Sequence, residues 1–259
     1  GKNMNYATIK NCDIANGPGV RVSLFVSGCT HHCPGCFNEV AWDFGYGEPF
    51  TQQTIDTILD MLRPDYIRGL TLLGGEPFEP ENQGAIVELL RQIKREMPQK
   101  SIWAFSGYLF EKDILSGRLG DTREYLSYLD VLVDGPFVEA KKNLSLRFRG
   151  SENQRLIDVP ASLAAGKTIL WQDWQGEKRG MMNPVHVKTL RDGAKLPTYG
   201  TAGAAGADLY ACVDAPVTIR PGETVFIPTG IALEVPEGCA GLVYARSGLA
   251  CKRGLAPAN

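Results

Sequence analysis

The chain lacks a strong excess of either charge: 27 Lys and Arg stand against 29 Asp and Glu in 259 residues, a formal net charge of −2. No run of clustered basic residues breaks that balance. This excludes a broad electrostatic grip on nucleic acid or on an anionic membrane surface. Long hydrophobic runs are missing as well. The longest, such as Val20–Val26, are strand-sized and far short of the roughly 20 apolar residues that a membrane helix needs. The opening residues carry no basic segment followed by an apolar block, as a secretory signal would, so a cytoplasmic location is expected. No internal repeat is visible. What is present, 44% hydrophobic and 22% charged residues, is the profile of a soluble globular protein of one or two domains.

Cysteine is unevenly placed. Of the 7, three crowd into Cys29, Cys33 and Cys36, a density no disulfide framework would use. In a cytosolic chain such crowding reads as a metal or redox site. Cys12, Cys212, Cys239 and Cys251 are scattered singly and read as small buried hydrophobes.

The two halves follow different grammars. Up to about residue 175, short β-branched runs alternate with helical patterns, the signature of βα units around a largely parallel sheet. Strands are expected at 20–27, 69–73, 101–106 and 130–133. Helices are expected at 51–62 and 82–97, where Ile55, Ile58, Leu59 and Leu62, then Ile86, Leu89, Leu90 and Ile93, recur at helical spacing. After Trp174 no Trp remains. Gly and Pro punctuate short alternating runs such as 224–227 and 231–235, an all-β pattern. The polar stretch 175–183 marks the junction. The division is therefore 1–175, a linker at 176–183, and 184–259.

The first strong strand runs directly into Ser27-Gly-Cys-Thr-His-His-Cys-Pro-Gly-Cys36, so three thiolates occupy one loop at a strand's C-terminal end, where βα folds place their chemistry. The spacing is C-x3-C-x2-C. Structural zinc takes four protein ligands, and no second Cys or His pair follows in this half. His31 or His32 could supply the fourth, which keeps a zinc-stabilised, non-catalytic binding domain as an alternative. Three thiolates with no evident fourth suit a 4Fe-4S cluster with one iron open. Both histidines are expected to face solvent. Gly74-Gly75-Glu76-Pro77 closes the next strand at the same end of the sheet. Its glycines let backbone approach a ligand closely, and its carboxylate can accept from an amino group.

Through Cys29, Cys33, Cys36 and the Gly-Gly-Glu-Pro turn, the first half resembles the radical S-adenosylmethionine superfamily. Gly35 stands where many members carry an aromatic residue, which points to a subgroup. With Asp13-Ile-Ala-Asn-Gly-Pro-Gly-Val-Arg21, Leu132-Val-Asp-Gly-Pro-Phe137 and Arg147-Phe-Arg-Gly-Ser-Glu-Asn-Gln-Arg155, it is similar to the activating proteins of anaerobic ribonucleoside-triphosphate reductase. The resemblance implies an α/β fold, a minimal partial βα barrel. It implies reductive cleavage of S-adenosylmethionine at a 4Fe-4S cluster, and a glycyl radical raised on the reductase large subunit. A flavodoxin-type protein is the implied electron donor. Cys29, Cys33 and Cys36 become the expected cluster ligands and Gly74, Gly75 and Glu76 the cofactor contacts. Ser106 and Asp134, each at a strand's C-terminal end, are further candidates, and Asp134 reads equally as a turn residue. Arg147, Arg149 and Arg155 read as charged surface, or as a docking face for the reductase.

The second half, from Asn183-Pro-Val-His-Val-Lys-Thr-Leu through Gly206-Ala-Asp-Leu209 to Ala245-Arg-Ser-Gly-Leu-Ala250, resembles the opening of trimeric dUTP diphosphatases, an all-β jelly roll. That implies phosphate binding by Arg246, Ser247 and Gly248 and a magnesium site at Asp208, with dUTP as ligand. Outside the family context Arg-Ser-Gly is a plain turn. The family's Gly-x-x-Asp-x-x-Tyr-Arg segment, which forms the uracil pocket, does not occur before Asn259. The segment is therefore expected to be a truncated jelly roll without dUTP hydrolysis of its own. Both halves point to deoxynucleotide supply, so a bifunctional activase and dUTPase is a further alternative.

Overall fold

The computed structural model describes residues 4–172, 185–200, 206–236 and 239–258, which fall into two compact units divided after residue 176. The linker expected at 176–183 lies outside the described residues.

In the N-terminal unit β1 (Asn5–Asp13), β2 (Val20–Val26), β3 (Glu48–Pro49), α1 (Gln52–Leu62), β4 (Ile67–Gly74), α2 (Pro80–Glu96) and β5 (Ser101–Phe105) are followed by α3 (Arg123–Tyr128), β6 (Val131–Asp134), β7 (Arg155–Asp158) and α4 (Val159–Ala165). Seven strands form one sheet in the order β3-β1-β2-β4-β5-β6-β7. The expectation of a largely parallel sheet holds only for its centre. β2, β4, β5 and β6 pair in parallel, while β1, β3 and β7 add antiparallel edges. Between β1 and β2 the reason is loop length: residues 14–19 are too few for a crossover and can only turn the chain back.

The strand pleat divides the sheet into two faces. Val22, Leu24, Val26, Leu70, Leu72, Ile102, Ala104 and Leu132 point to the helices, where Ile55, Ile58, Leu59 and Leu62 of α1 and Ile86, Leu89, Leu90 and Ile93 of α2 close the main core. Each buried Val, Leu or Ile among them contributes about 1.5–3 kcal/mol. Pro80 opens α2 at a position where its missing N–H costs nothing. The alternate residues face the other way, with Trp103, Val131 and Val133 forming a second cluster with Phe105, Phe148, Leu156 and Trp171.

Arg21 sits on this second face and is completely buried. Its guanidinium meets only neutral acceptors. Nε donates to Thr71 Oγ1 (2.7 Å), Nη1 to Ser101 Oγ (2.9 Å), and Nη2 to the carbonyls of Leu70 (2.8 Å) and Ser101 (3.0 Å). Thr71 in turn donates to the carbonyl of Asn16 (2.8 Å), so the charge fastens the 14–19 turn onto the sheet. Burial lowers the pKa of the group to about 10, against the opposing charges of Asp130 and Asp13. Arg21→Ala strips these carbonyls and hydroxyls of their donor and opens a hole. It is expected to destabilise the unit by about 3–5 kcal/mol. Urea denaturation checks this, and a loss below about 1 kcal/mol would show that the site collapses without strain.

In the C-terminal unit β8 (His186–Thr189) and β9 (Ile231–Glu234) pair antiparallel and α5 (Ser247–Arg253) follows. Among the described residues this replaces the jelly-roll sheet expected from the alternating pattern. The run 224–227 is not a strand, and a helix stands in a segment that reads as all-β. The physical reason is that the alternation finds no opposing layer. Phe226 is fully exposed, Tyr199 and Leu190 are largely so, and Cys212 is the one buried apolar side chain among the described residues of this unit.

Candidate functional site

A cavity of about 460 Å³ opens on the second face of the sheet, at the C-terminal ends of the parallel strands. Cys29, Cys33, Cys36, Gly74, Gly75, Glu76 and Ser106 all line it. Strand register accounts for this meeting, because Val26 pairs with Gly74 and the two chain ends leave the sheet side by side.

The cysteine loop is held at its root and along its length. The amides of Gly28 and Cys29 donate to the carbonyls of Ala41 (2.8 Å) and Trp42 (3.2 Å). Gly28 has φ 94°, and a Cβ there would lie 2.2 Å from the Phe44 ring, so only glycine fits. Glu79, buried at the start of α2, accepts from the Thr30 amide (2.8 Å) and hydroxyl (2.6 Å) and ties the loop to that helix. Burial pushes the Cys29 thiol up to about 11 and raises Cys33 as well. Metal-free, Cys29 and Cys33 are therefore protonated at neutral pH, and loading with iron would expel their protons.

Gly74 and Gly75 serve close packing. A Cβ on Gly74 would come within 2.7 Å of the Val26 backbone, and one on Gly75 within 2.5 Å of the Gly28 carbonyl. The Gly75 and Glu76 amides donate to the carbonyls of Val26 and Gly28, both at 2.8 Å. Glu76 is 1% exposed and accepts four hydrogen bonds. Oε1 takes those of the Phe78 amide (2.8 Å) and the Ser106 hydroxyl (2.9 Å). Oε2 takes those of the Gly107 amide (2.7 Å) and His31 Nε2 (3.0 Å). His31, expected to face solvent, is instead half-buried against Tyr108 with ring centroids 4.3 Å apart. Burial opposes its charged form, but the Glu76 hydrogen bond and charge, aided by Glu79 and Asp113, outweigh that and raise its pKa. His32 is exposed, as expected, and stacks on Trp42. The role of His31 was not legible in the sequence, since nothing local links it to a glutamate 45 residues on.

Asp134 is placed differently from Ser106. It is fully buried at the end of β6 but is not among the cavity-lining residues. Its carboxylate accepts from the Phe110 amide (2.9 Å) and Arg155 Nε (2.9 Å), which makes it an internal counter-ion. Arg155 also reaches Glu111 (2.7 Å) and, with the Thr168 hydroxyl, holds the Glu111 carboxyl down to about 2. A carboxyl depressed in the folded state adds stability above its ordinary pKa of 4.5 and loses it as pH falls from there toward 2. Because Glu111 is 43% exposed, the effect is under about 1 kcal/mol. Arg155→Met is expected to flatten that acid limb, as read by thermal midpoints between pH 5 and 2. Arg149 lines the cavity and donates to the Gln154 carbonyl (2.7 Å), while the Arg147 guanidinium lies over the Phe148 ring.

The donor set fits a cubane better than a single zinc ion. Zinc needs its donors to converge on one point, and among the described residues no three His, Cys, Asp or Glu side chains do so. A 4Fe-4S cluster takes each thiolate on a separate iron, so three cysteines that line one cavity suit it. A cavity of this size also has room for a small organic cofactor beside the cluster.

In the C-terminal unit, considered by itself, Arg246 Nη1 lies 3.6 Å from Asp208 Oδ2, so the expected phosphate and magnesium residues meet there. Arg246 precedes α5 directly and Gly248 lies within its first turn; the Ser247 side chain lies outside the described residues.

Comparison with known proteins separates the units in the same way. Residues 15–157 match the family model of a 4Fe-4S single cluster domain, and residues 192–257 match the dUTPase model. The anaerobic ribonucleoside-triphosphate reductase-activating protein of Enterobacteria phage T4 is 44% identical over 155 residues, covering 59% of this chain and 93% of the relative. Those of Vibrio cholerae and Escherichia coli K12 are 42% and 41% identical over 154 and 153 residues, each covering 58% of this chain and 96% of the relative. The chain belongs to the family of anaerobic ribonucleoside-triphosphate reductase-activating proteins. As such an activating protein it carries a 4Fe-4S domain, and every cavity residue expected from the sequence falls within the 15–157 match. Among the described residues of this activating protein no helix is long and apolar enough to cross a membrane.

Proposed function

We propose that the N-terminal unit cleaves S-adenosylmethionine reductively and raises a glycyl radical on the large subunit of an anaerobic ribonucleoside-triphosphate reductase. The observation that carries this reading is the meeting of Cys29, Cys33, Cys36 and the Gly74-Gly75-Glu76 turn around one cavity at the C-terminal end of the sheet. When bound, the cluster and S-adenosylmethionine supply one-electron cleavage of a C–S bond to a 5′-deoxyadenosyl radical, with a flavodoxin-type protein as electron source. Cys29, Cys33 and Cys36 hold three irons. Gly74 and Gly75 keep the turn tight against the cysteine loop, where its backbone would receive the methionyl end of the cofactor. Glu76 orients Ser106, Gly107 and His31 as one wall. The apolar side chains of Leu73, Phe105 and Phe148, which line the cavity, would exclude water from the reacting carbon. A cytoplasmic location, where thiols stay reduced, is consistent with this chemistry.

For residues 192–257 the reading is dUTPase-like, with Arg246 directed to phosphate of dUTP and Asp208 to magnesium, and their 3.6 Å approach supports it.

The test is anaerobic reconstitution with iron and sulfide, then dithionite reduction with S-adenosylmethionine and chromatography for 5′-deoxyadenosine. A brown protein that forms the product, and a glycyl radical signal by electron paramagnetic resonance once the reductase large subunit is added, is the expected result. A colourless protein that retains stoichiometric zinc and forms no product would overturn the reading in favour of a zinc-stabilised binding module.

A further inference from the structure

The two most exposed large apolar side chains among the described residues of the N-terminal unit are Leu144, 90% exposed, and Phe37, 82% exposed. Both stand at the same cavity. Leu144 is carried by the loop 142–151, which is closed at its base by the Lys142–Ser151 bridge and by the Asn143 amide on the Gly150 carbonyl (3.2 Å). Asn143 binds Glu152 through its amide nitrogen (3.0 Å) and accepts from the Ser145 amide (3.0 Å) and hydroxyl (2.6 Å). Phe148, further along, packs edge-on against Trp103 with centroids 5.4 Å apart. The loop is thus fixed from within, yet it holds a leucine in water. A large apolar side chain on a fixed support loses little conformational entropy when a partner covers it, which is how an interface anchor behaves. Around it the exposed Lys141, Lys142 and Arg147 outnumber the exposed Glu139 and Glu152, so this rim is net basic.

We propose that this rim is a docking surface for an acidic polypeptide segment bearing an apolar side chain, with Leu144 and Phe37 as anchors and Lys141 and Lys142 as the complementary charge. The identity of the partner rests on the function proposed above: the segment belongs to the reductase large subunit and flanks the glycine that must enter the cavity. Burial of apolar rim residues holds the segment, and the lysines speed its approach and set its direction.

The experiment uses the full reconstituted chain and the purified reductase large subunit, with affinity measured anaerobically by surface plasmon resonance at low and at 0.5 M salt. Leu144→Asp is expected to weaken association by about tenfold or more at either salt. Lys142→Glu is expected to weaken it by about threefold at low salt only, because screening removes the charge contribution. Wild-type affinity in both variants, or no association of the wild type, would overturn the proposal. Should Leu144→Asp fail to fold, by its thermal midpoint, Leu144→Ala and Lys142→Glu carry the same test. Formation of 5′-deoxyadenosine by the wild type without partner is measured on the same preparation. Docking lost in the variants while the wild type forms no product would leave the surface standing and remove the radical chemistry.

Discussion

Alanine at any one of Cys29, Cys33 or Cys36 is expected to lower 5′-deoxyadenosine formation at least about 10³-fold, equivalent to about 4 kcal/mol of barrier, whereas Cys239→Ser leaves it unchanged. On the function proposed above each of the three thiolates would hold its own iron, so none could substitute for another, and among the described residues no other cysteine lines the cavity. Cys12 is on β1, Cys212 and Cys239 belong to the other unit, and none of them lines the cavity. The three are not equivalent before loading. Cys29 is buried, with its thiol pushed up to about 11, while Cys33 and Cys36 are half-buried and the Asn38 amide approaches Cys36 Sγ at 3.4 Å. Cys29→Ala removes the one buried thiol of the three and is expected to prevent cluster assembly altogether. Cys36→Ala leaves two fixed thiolates, and some iron should still be taken up without turnover. Iron and sulfide content together with the product assay distinguishes these outcomes. Equal product from all three variants and the wild type would show that the loop is not the site of the chemistry.

The parts of the molecule legible in the sequence are those whose pattern is set by burial. β2 and β4 are legible because every second residue, Val22, Leu24 and Val26 in the one and Leu70 and Leu72 in the other, is buried under the helices, and α1 and α2 show their buried stripe at helical spacing. β1 escaped because it lies near the edge of the sheet, and its sequence, with polar residues at both ends, alternates only weakly between exposed and half-buried positions. β7 is four residues and α3 six, too short for a period to emerge. Alternation misled in 224–227, where Phe226 has nothing to pack on. At the site, the spacing of three cysteines and a glycine pair after a strand could be read directly, because each is local. The contacts that join them could not: His31 with Glu76, Thr30 with Glu79, and Arg155 with Asp134 are fixed by strand register across 45, 49 and 21 residues. In the loop 142–151 the sequence showed charge and, from Arg147 onward, a family-like segment, but the exposed Leu144 had no periodicity to announce it.

Glu76→Gln should be almost as damaging as removal of a cluster ligand, although it keeps the shape of the side chain. A carboxylate accepts at both oxygens, and here each oxygen faces one backbone N–H: Phe78 on Oε1 and Gly107 on Oε2. An amide has one oxygen and one NH2 group. In either orientation its NH2 is driven against a backbone donor that cannot rotate away or accept, whereas the Ser106 hydroxyl and the His31 ring could reverse their roles. One buried N–H is therefore left without an acceptor and faces a second donor, at a cost of about 2–4 kcal/mol when the lost charge-assisted bonds are included. Glu76→Ala removes all four acceptor contacts and is expected to cost at least as much. The functional loss follows from the same geometry, because Gly107 and His31 are positioned through Oε2 and both line the cavity. Product formation should fall about 10²-fold or more even at temperatures where the variant is folded, since a wall displaced by an ångström misplaces the cofactor. Urea denaturation and the 5′-deoxyadenosine assay separate the two effects. A fully stable, fully active Glu76→Gln protein would mean that the carboxylate is neither the hub of this wall nor a contact of the cofactor.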